Sequence, residues 1–156
     1  MPTTILHILL VEDSADDAAL IQHTLRQAGL SIDLRRAVSA TEMTAALLEK
    51  RWDLVISDYN LPGFDGTGAL QLVRELSPDT PFIVVSGFIG EQAAVTLMKG
   101  GADDYVMKDN LTRLPAAVER SLNDAHARLS RKLTEIALRD SEARFKAVSY
   151  THLTLP

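Results

Sequence analysis

Polar residues close the apolar runs of this chain. Glu12 and Asp13 follow Ile5–Val11, and Asp58 follows Leu54-Val55-Ile56-Ser57. Ser86 ends Phe82-Ile83-Val84-Val85, and Lys108 ends Tyr105-Val106-Met107. Carboxylates brought within a few ångströms repel and raise one another's pKa, a penalty that a hard divalent cation removes. Magnesium takes oxygen ligands, keeps several waters, and is usually held by one or two carboxylates with a phosphate oxygen. Asp13 and Asp58 are the expected direct ligands, Glu12 acts through water, and Asn60 adds its backbone carbonyl. A carboxylate is also a nucleophile toward phosphorus, giving an aspartyl phosphate at Asp58. The phosphoryl group in transfer needs positive charge and hydrogen-bond donors on its equatorial oxygens, and Lys108 and Ser86 supply them.

Those residues converge only if the elements carrying them line up. Ile5–Val11 is short and aliphatic apart from His7, as suits a strand buried on both faces. Ser14 caps a helix with apolar residues at Ala18, Ala19, Ile21, Leu25 and Ala28, stopped by Gly29. Ile32–Ala37 alternates like an edge strand, and Thr41–Lys50 is helical, with Met43, Ala46, Leu47 and Leu48 on one side. Leu54–Asp58 is a third strand, followed by a turn at Leu61–Gly66 and a helix to about Leu76. Phe82–Ser86, Glu91–Lys99 and Tyr105–Met107 continue the alternation, and from Leu111 the pattern is helical for about thirty residues. Such βα alternation predicts an α/β fold, a doubly wound five-stranded parallel sheet, taken here in the flavodoxin-like order 2-1-3-4-5. Its ligands bind beyond the carboxyl ends of the strands where strand order reverses, between strands one and three. Asp13 and Asp58 then lie side by side.

Taken singly, each residue has a plainer use. An acidic pair suits the positive end of a helix, a strand-end serine bonds to backbone, and a lone lysine sits in solvent. Their common position on one sheet edge favours chemistry over those uses. Asp65 and Thr67 read as helix caps. Gly63, Gly66 and Gly68 match neither dinucleotide nor P-loop spacing, so no nucleotide loop is expected. The net charge of −5 and pI of about 5.3 give no overall basic field for nucleic acid. The chain contains no cysteine, which excludes disulfides and thiolate metal sites. No signal peptide or membrane-length apolar stretch is visible, and a cytoplasmic location is expected.

The ordered motifs resemble the receiver domain of two-component response regulators, of the chemotaxis-regulator type. The matching pieces are Leu10-Val11-Glu12-Asp13, Asp58 with Leu61-Pro62-Gly63 and Asp65-Gly66, Val84-Val85-Ser86-Gly87, and Gly101–Lys108. The resemblance implies that Asp58 accepts a phosphoryl group from the phosphohistidine of a sensor kinase or phosphotransfer protein. It implies that Glu12 and Asp13 hold Mg2+, that Ser86 and Lys108 grip the phosphoryl group, and that Tyr105 is the aromatic that turns inward with the hydroxyl. It also implies a signalling switch rather than an enzyme, acting on a downstream signalling domain or protein. The chain departs from the family pattern in Asp109, where proline usually follows the lysine, and in the bulky Phe88. Two alternatives stay open: a receiver-like module without phosphorylation control, and an aspartyl-phosphate phosphatase. Against the phosphatase, Asn60 stands where such enzymes place a second aspartate.

The receiver is expected over residues 1–125, with a helical linker or coiled-coil extension over 126–149. Leu122, Leu129, Ile136 and Ala143 recur every seven residues with Leu133 at the other seam position, which makes a homodimer through this helix one expectation. Ser141–Phe145 resembles the lead into a PAS sensor domain. Residues 150–156 leave the helical pattern and are set aside as a non-native or disordered tail.

Overall fold

The computed structural model describes the backbone of residues 4–154 and the side chains of residues 4–142. The elements are β1 (Leu6–Val11), α1 (Ala15–Gln27), β2 (Ile32–Ala37), α2 (Ala40–Glu49), β3 (Leu54–Ser57), α3 (Gly66–Leu76), β4 (Phe82–Ser86), α4 (Glu91–Lys99), β5 (Asp104–Met107) and α5 (Leu114–Thr154). The strands pair in parallel as β2-β1-β3-β4-β5, the order expected of a flavodoxin-like sheet. Val11 stands opposite Ser57 and Ser86 opposite Met107, so the carboxyl ends of the inner strands reach one edge together.

Successive strand residues point to opposite faces, and each face carries its own core. Ile8, Leu10, Ile56, Ile83 and Val85 pack with Ile21 and Leu25 of α1 and with Leu114 and Val118 of α5. Leu9, Val11, Val55, Phe82 and Val84 pack with Met43 of α2, Val73 of α3 and Leu97 of α4. Burial on both faces explains why these strands read as continuous aliphatic runs. β2 is an edge strand, as the sequence predicts, and alternates over residues 32–35, with Arg35 and Arg36 then both exposed.

Local signals act as expected at several ends. The Ser14 hydroxyl accepts from the Asp17 amide, and Gly29 takes a positive φ of 91° after α1. Asp65 caps α3 by accepting from the Gly68 amide, whereas Thr67 lies inside the first turn and is not the cap. Leu48 also differs: it is 69% exposed, because it lies about 100° round the helix from buried Leu47. The turn after β3 is a small antiparallel ribbon, Asn60–Leu61 against Phe64–Asp65, with Gly63 at φ 79° in its loop.

The last helix starts later and runs further than its pattern suggests. Residues Lys108–Arg113 form a 3₁₀ segment interrupted at Asn110 (φ −134°, ψ 49°), and α5 then extends over 41 residues. It passes Tyr150, where the apolar pattern fails, since after Pro115 in its first turn no glycine or proline occurs before Pro156. The chain divides into two compact units, Met1–Asn123 and Asp124–Pro156. The side chains of Ala143 and Phe145, named above for the repeat and the PAS-like segment, lie outside the described residues, as do residues 155 and 156.

Candidate functional site

β1, β3 and β5 deliver the site. The Asp58 amide donates to the Val11 carbonyl at 2.9 Å, which fixes the end of β3 beside the end of β1. Asp58 is 7% exposed. Its Oδ1 accepts from the amides of Tyr59 at 2.7 Å and Asn60 at 3.4 Å. Its Oδ2 accepts from the Lys108 ammonium at 3.0 Å. Glu12 is almost fully buried, and its Oε1 accepts from Lys108 at 3.1 Å and from the Ser14 amide at 3.3 Å. Its Oε2 is buried with no partner. Asp13 is exposed at the same edge, and oxygens of Glu12, Asp13 and Asp58 all lie within 4.8 Å of one another.

The electrostatics follow from this crowding. Burial, reinforced by the negative Asp58 and opposed by Lys108, pushes the Glu12 pKa from 4.5 up to about 7. Burial alone would lower the Lys108 pKa. Its hydrogen bonds to Asp17, Asp58 and Glu12 outweigh that and hold it above the ordinary lysine value. Buried polar atoms are ordinarily paired. The bare Glu12 oxygen, on a residue of this acidic group, is therefore the local feature that fits a hard cation with oxygen ligands.

The remaining expected residues lie around this centre in differing states. Ser86 is buried at the end of β4, but its hydroxyl donates to the Phe88 carbonyl at 3.3 Å. The Phe88 ring is 76% exposed. Asn60 opens the ribbon after β3, with its amide turned to Asp58. Tyr105, on edge strand β5, is half-buried and lines a cavity of ≈ 520 Å³ with Ile89, Val95, Met98 and Met107. Asp17 is the site residue that strand-end reasoning missed. From the first turn of α1 its Oδ2 accepts from Lys108 at 2.7 Å. No sequence signal singled it out, because an acid in the first turn of a helix has an ordinary use there.

A parallel sheet wound in this order, with acids, a hydroxyl and a lysine at the carboxyl ends of its strands, defines the class of doubly wound, flavodoxin-like folds with a polar site at the switch point. The chain belongs to the response regulator receiver domain family, whose description matches residues 8–119. It is 33% identical over 122 residues to the transcriptional regulatory protein ZraR of Salmonella typhimurium, covering 78% of this chain and 27% of that one. It is 31% identical to the transcriptional regulatory protein YxdJ of Bacillus subtilis, covering 83% of this chain and 58% of that one. Among solved structures it superposes on the signal receiver domain of an HD domain-containing protein from Pseudomonas fluorescens Pf-5. That match has a TM-score of 0.74 and 26% identity, over 84% of this chain and 96% of that one. A CheY-like receiver domain protein from Methanospirillum hungatei JF-1 matches with a TM-score of 0.70 and 25% identity, over 80% and 99%. The chain spans about a quarter of the length of ZraR. Receiver domains are signalling switches of two-component systems, and that is the general role of this one.

Proposed function

We propose that Asp58 is the phosphoacceptor and that it takes its phosphoryl group from the phosphohistidine of a sensor kinase or phosphotransfer protein. The observation that carries this is the Lys108 ammonium bridging Asp58 and Glu12 beside an unpartnered buried oxygen. An Asp58 carboxylate oxygen forms the new P–O bond as the donor P–N bond breaks. The bonding pair stays on the imidazole, which leaves neutral when its other ring nitrogen is protonated. Glu12, Asp13, Asp58 and the Asn60 carbonyl would hold Mg2+, which supplies charge neutralisation for the carboxylates and the phosphoryl oxygens. Lys108 donates to one phosphoryl oxygen. Ser86 leaves the Phe88 carbonyl to donate to another, and Tyr105 moves into the space this opens, so that phosphorylation biases a two-state surface.

The receiver occupies residues 1–125 and signals through a helical linker, residues 126–149, to a downstream domain or protein. A PAS module is one candidate for that domain. A second copy of the chain pairs along the same helix. The chain itself makes no direct nucleic-acid contact in this reading, and it works in the cytoplasm. Among the described residues no helix is long and apolar enough to cross a membrane.

Incubation with Mg2+ and acetyl phosphate tests the chemistry by intact mass. A stable gain of one phosphate, absent in Asp58→Asn, is expected. Continuous release of inorganic phosphate would identify a phosphatase instead, and an unchanged mass would identify a module without phosphorylation control.

A further inference from the structure

We propose that Asp17 is a positioning residue for Lys108: it keeps the lysine in the site when a divalent cation takes over the carboxylates that the lysine now holds. The inference rests on the reading of Asp58 as phosphoacceptor. An ammonium has three N–H donors, and here they go to Glu12 at 3.1 Å, Asp17 at 2.7 Å and Asp58 at 3.0 Å. Two of these partners, Glu12 and Asp58, belong to the group of oxygens able to hold a metal; Asp17 does not. A doubly charged ion at Glu12 and Asp58 repels the ammonium and competes with it for the same oxygens. Lys108 must then give up at least part of its hold there. Asp17 is the acceptor left to it, and the side chain that should meet a phosphoryl oxygen stays at the site instead of moving into solvent.

Local structure makes Asp17 suited to this. It sits on the first turn of α1, whose start is pinned by the Ser14 cap, so its carboxylate projects from a rigid element. Its side chain is 40% exposed, and a half-exposed ion pair adds little to folding stability. The alternative use of an acid here is to complement the positive end of the helix. Asp16 serves that equally on the same turn, and no hydrogen bond or ion pair joins it to Lys108 among the described residues. Asp16→Asn is therefore the matched control, removing one charge from the same turn without touching the lysine.

The test is calorimetric titration of the full chain with Mg2+, alongside acetyl phosphate labelling at saturating Mg2+ and thermal unfolding in chelator. In Asp17→Asn the ion must displace the lysine from Glu12 and Asp58 with no other acceptor left to receive it. Mg2+ affinity should fall by about tenfold, the equivalent of ~1.4 kcal/mol, and labelling should slow. Asp16→Asn should change affinity by less than about twofold, consistent with a screened surface charge, and Asp17→Glu should recover most of the loss. In a Lys108→Ala background, Asp17→Asn should do no more than Asp16→Asn, because its effect passes through the lysine. Both aspartate variants should unfold near the wild-type temperature. Equal shifts from Asp16→Asn and Asp17→Asn, or an Asp17→Asn effect that survives without Lys108, would overturn the inference while wild-type labelling on Asp58 still stands. A wild-type chain that takes up neither Mg2+ nor a phosphoryl group removes the phosphoacceptor reading, and this inference with it.

Discussion

Glu12 holds its proton up to about pH 7 in the folded protein, against an ordinary value of 4.5. Between those two values the folded state binds more protons than the unfolded chain. Stability linked to this group is therefore fully present below about pH 4.5 and is lost as pH rises toward 7. At ~1.4 kcal/mol per pH unit, the metal-free protein should lose about 3 kcal/mol across that window. Urea unfolding in chelator, compared with Glu12→Gln, isolates the contribution from other titrating groups. The variant should lack this fall and be the more stable of the two at pH 8. Parallel pH profiles for the two proteins would mean that Glu12 ionises normally and that its burial costs nothing. Glu12, Asp58 and Lys108 were legible in the sequence because a charged residue ending a buried strand stands out against an aliphatic run. Asp17 was not. An acid in the first turn of a helix has an ordinary use there, and its pairing with a lysine 91 positions away depends on how α1 meets the 3₁₀ segment that begins at Lys108.

At the scale of elements, the ribbon between β3 and α3 holds Asp58 in place. The Gly66 amide donates to the Tyr59 carbonyl at 2.7 Å. A Cβ on Gly66 would fall 3.1 Å from Tyr59 Cα, 3.1 Å from Tyr59 Cδ2 and 3.4 Å from the Asp58 carbonyl oxygen. Backbone cannot yield there without shifting the residue after Asp58. Gly66→Ala should therefore cost about 1–3 kcal/mol, the usual range for overpacking, and should slow acetyl phosphate labelling. At Gly68 the nearest atom is Phe64 Cδ2 at 3.5 Å, an ordinary contact. Gly68→Ala should be neutral or stabilise α3 by up to about 1 kcal/mol. Chemical denaturation and labelling rates of the two variants check the contrast, and equal behaviour would show that the loop adapts. The strands and helices themselves were legible from period and punctuation. The ribbon and the 3₁₀ segment after Lys108 were not, because each is set by packing of a few residues rather than by a repeat. Leu48 shows the same limit: hydrophobicity places it in a core, and one step of helical rotation places it in solvent.

Over the whole molecule, alternation of strand and helix was enough to predict a parallel sheet covered on both faces, and the order taken for it, 2-1-3-4-5, is one of the few that crossovers of one hand allow. What lies beyond the receiver was less legible, because a short, impure seven-residue repeat does not specify its partner. The first unit carries both cores, whose buried residues run from Ile8 to Val118. The second unit, taken by itself, is helix in which residues 131–142 are exposed throughout, including Leu133 at 58%, Ile136 at 51% and Leu138 at 58%. A lone helix in water is marginal, and helices in proteins gain most of their stability by burying an apolar stripe. Leu129, Leu133 and Ile136 follow a coiled-coil spacing, so a second copy of the same helix is the partner that this stripe suits. The full chain should sediment as a dimer at micromolar concentration, while a chain ending at residue 125 should be monomeric and still unfold cooperatively. Replacing Leu133 and Ile136 by serine in the full chain should give the monomer as well, with far-ultraviolet ellipticity falling by the share of helix beyond residue 125. A dimer that survives both changes would place the contact on the receiver itself and leave the helix without a role in self-association.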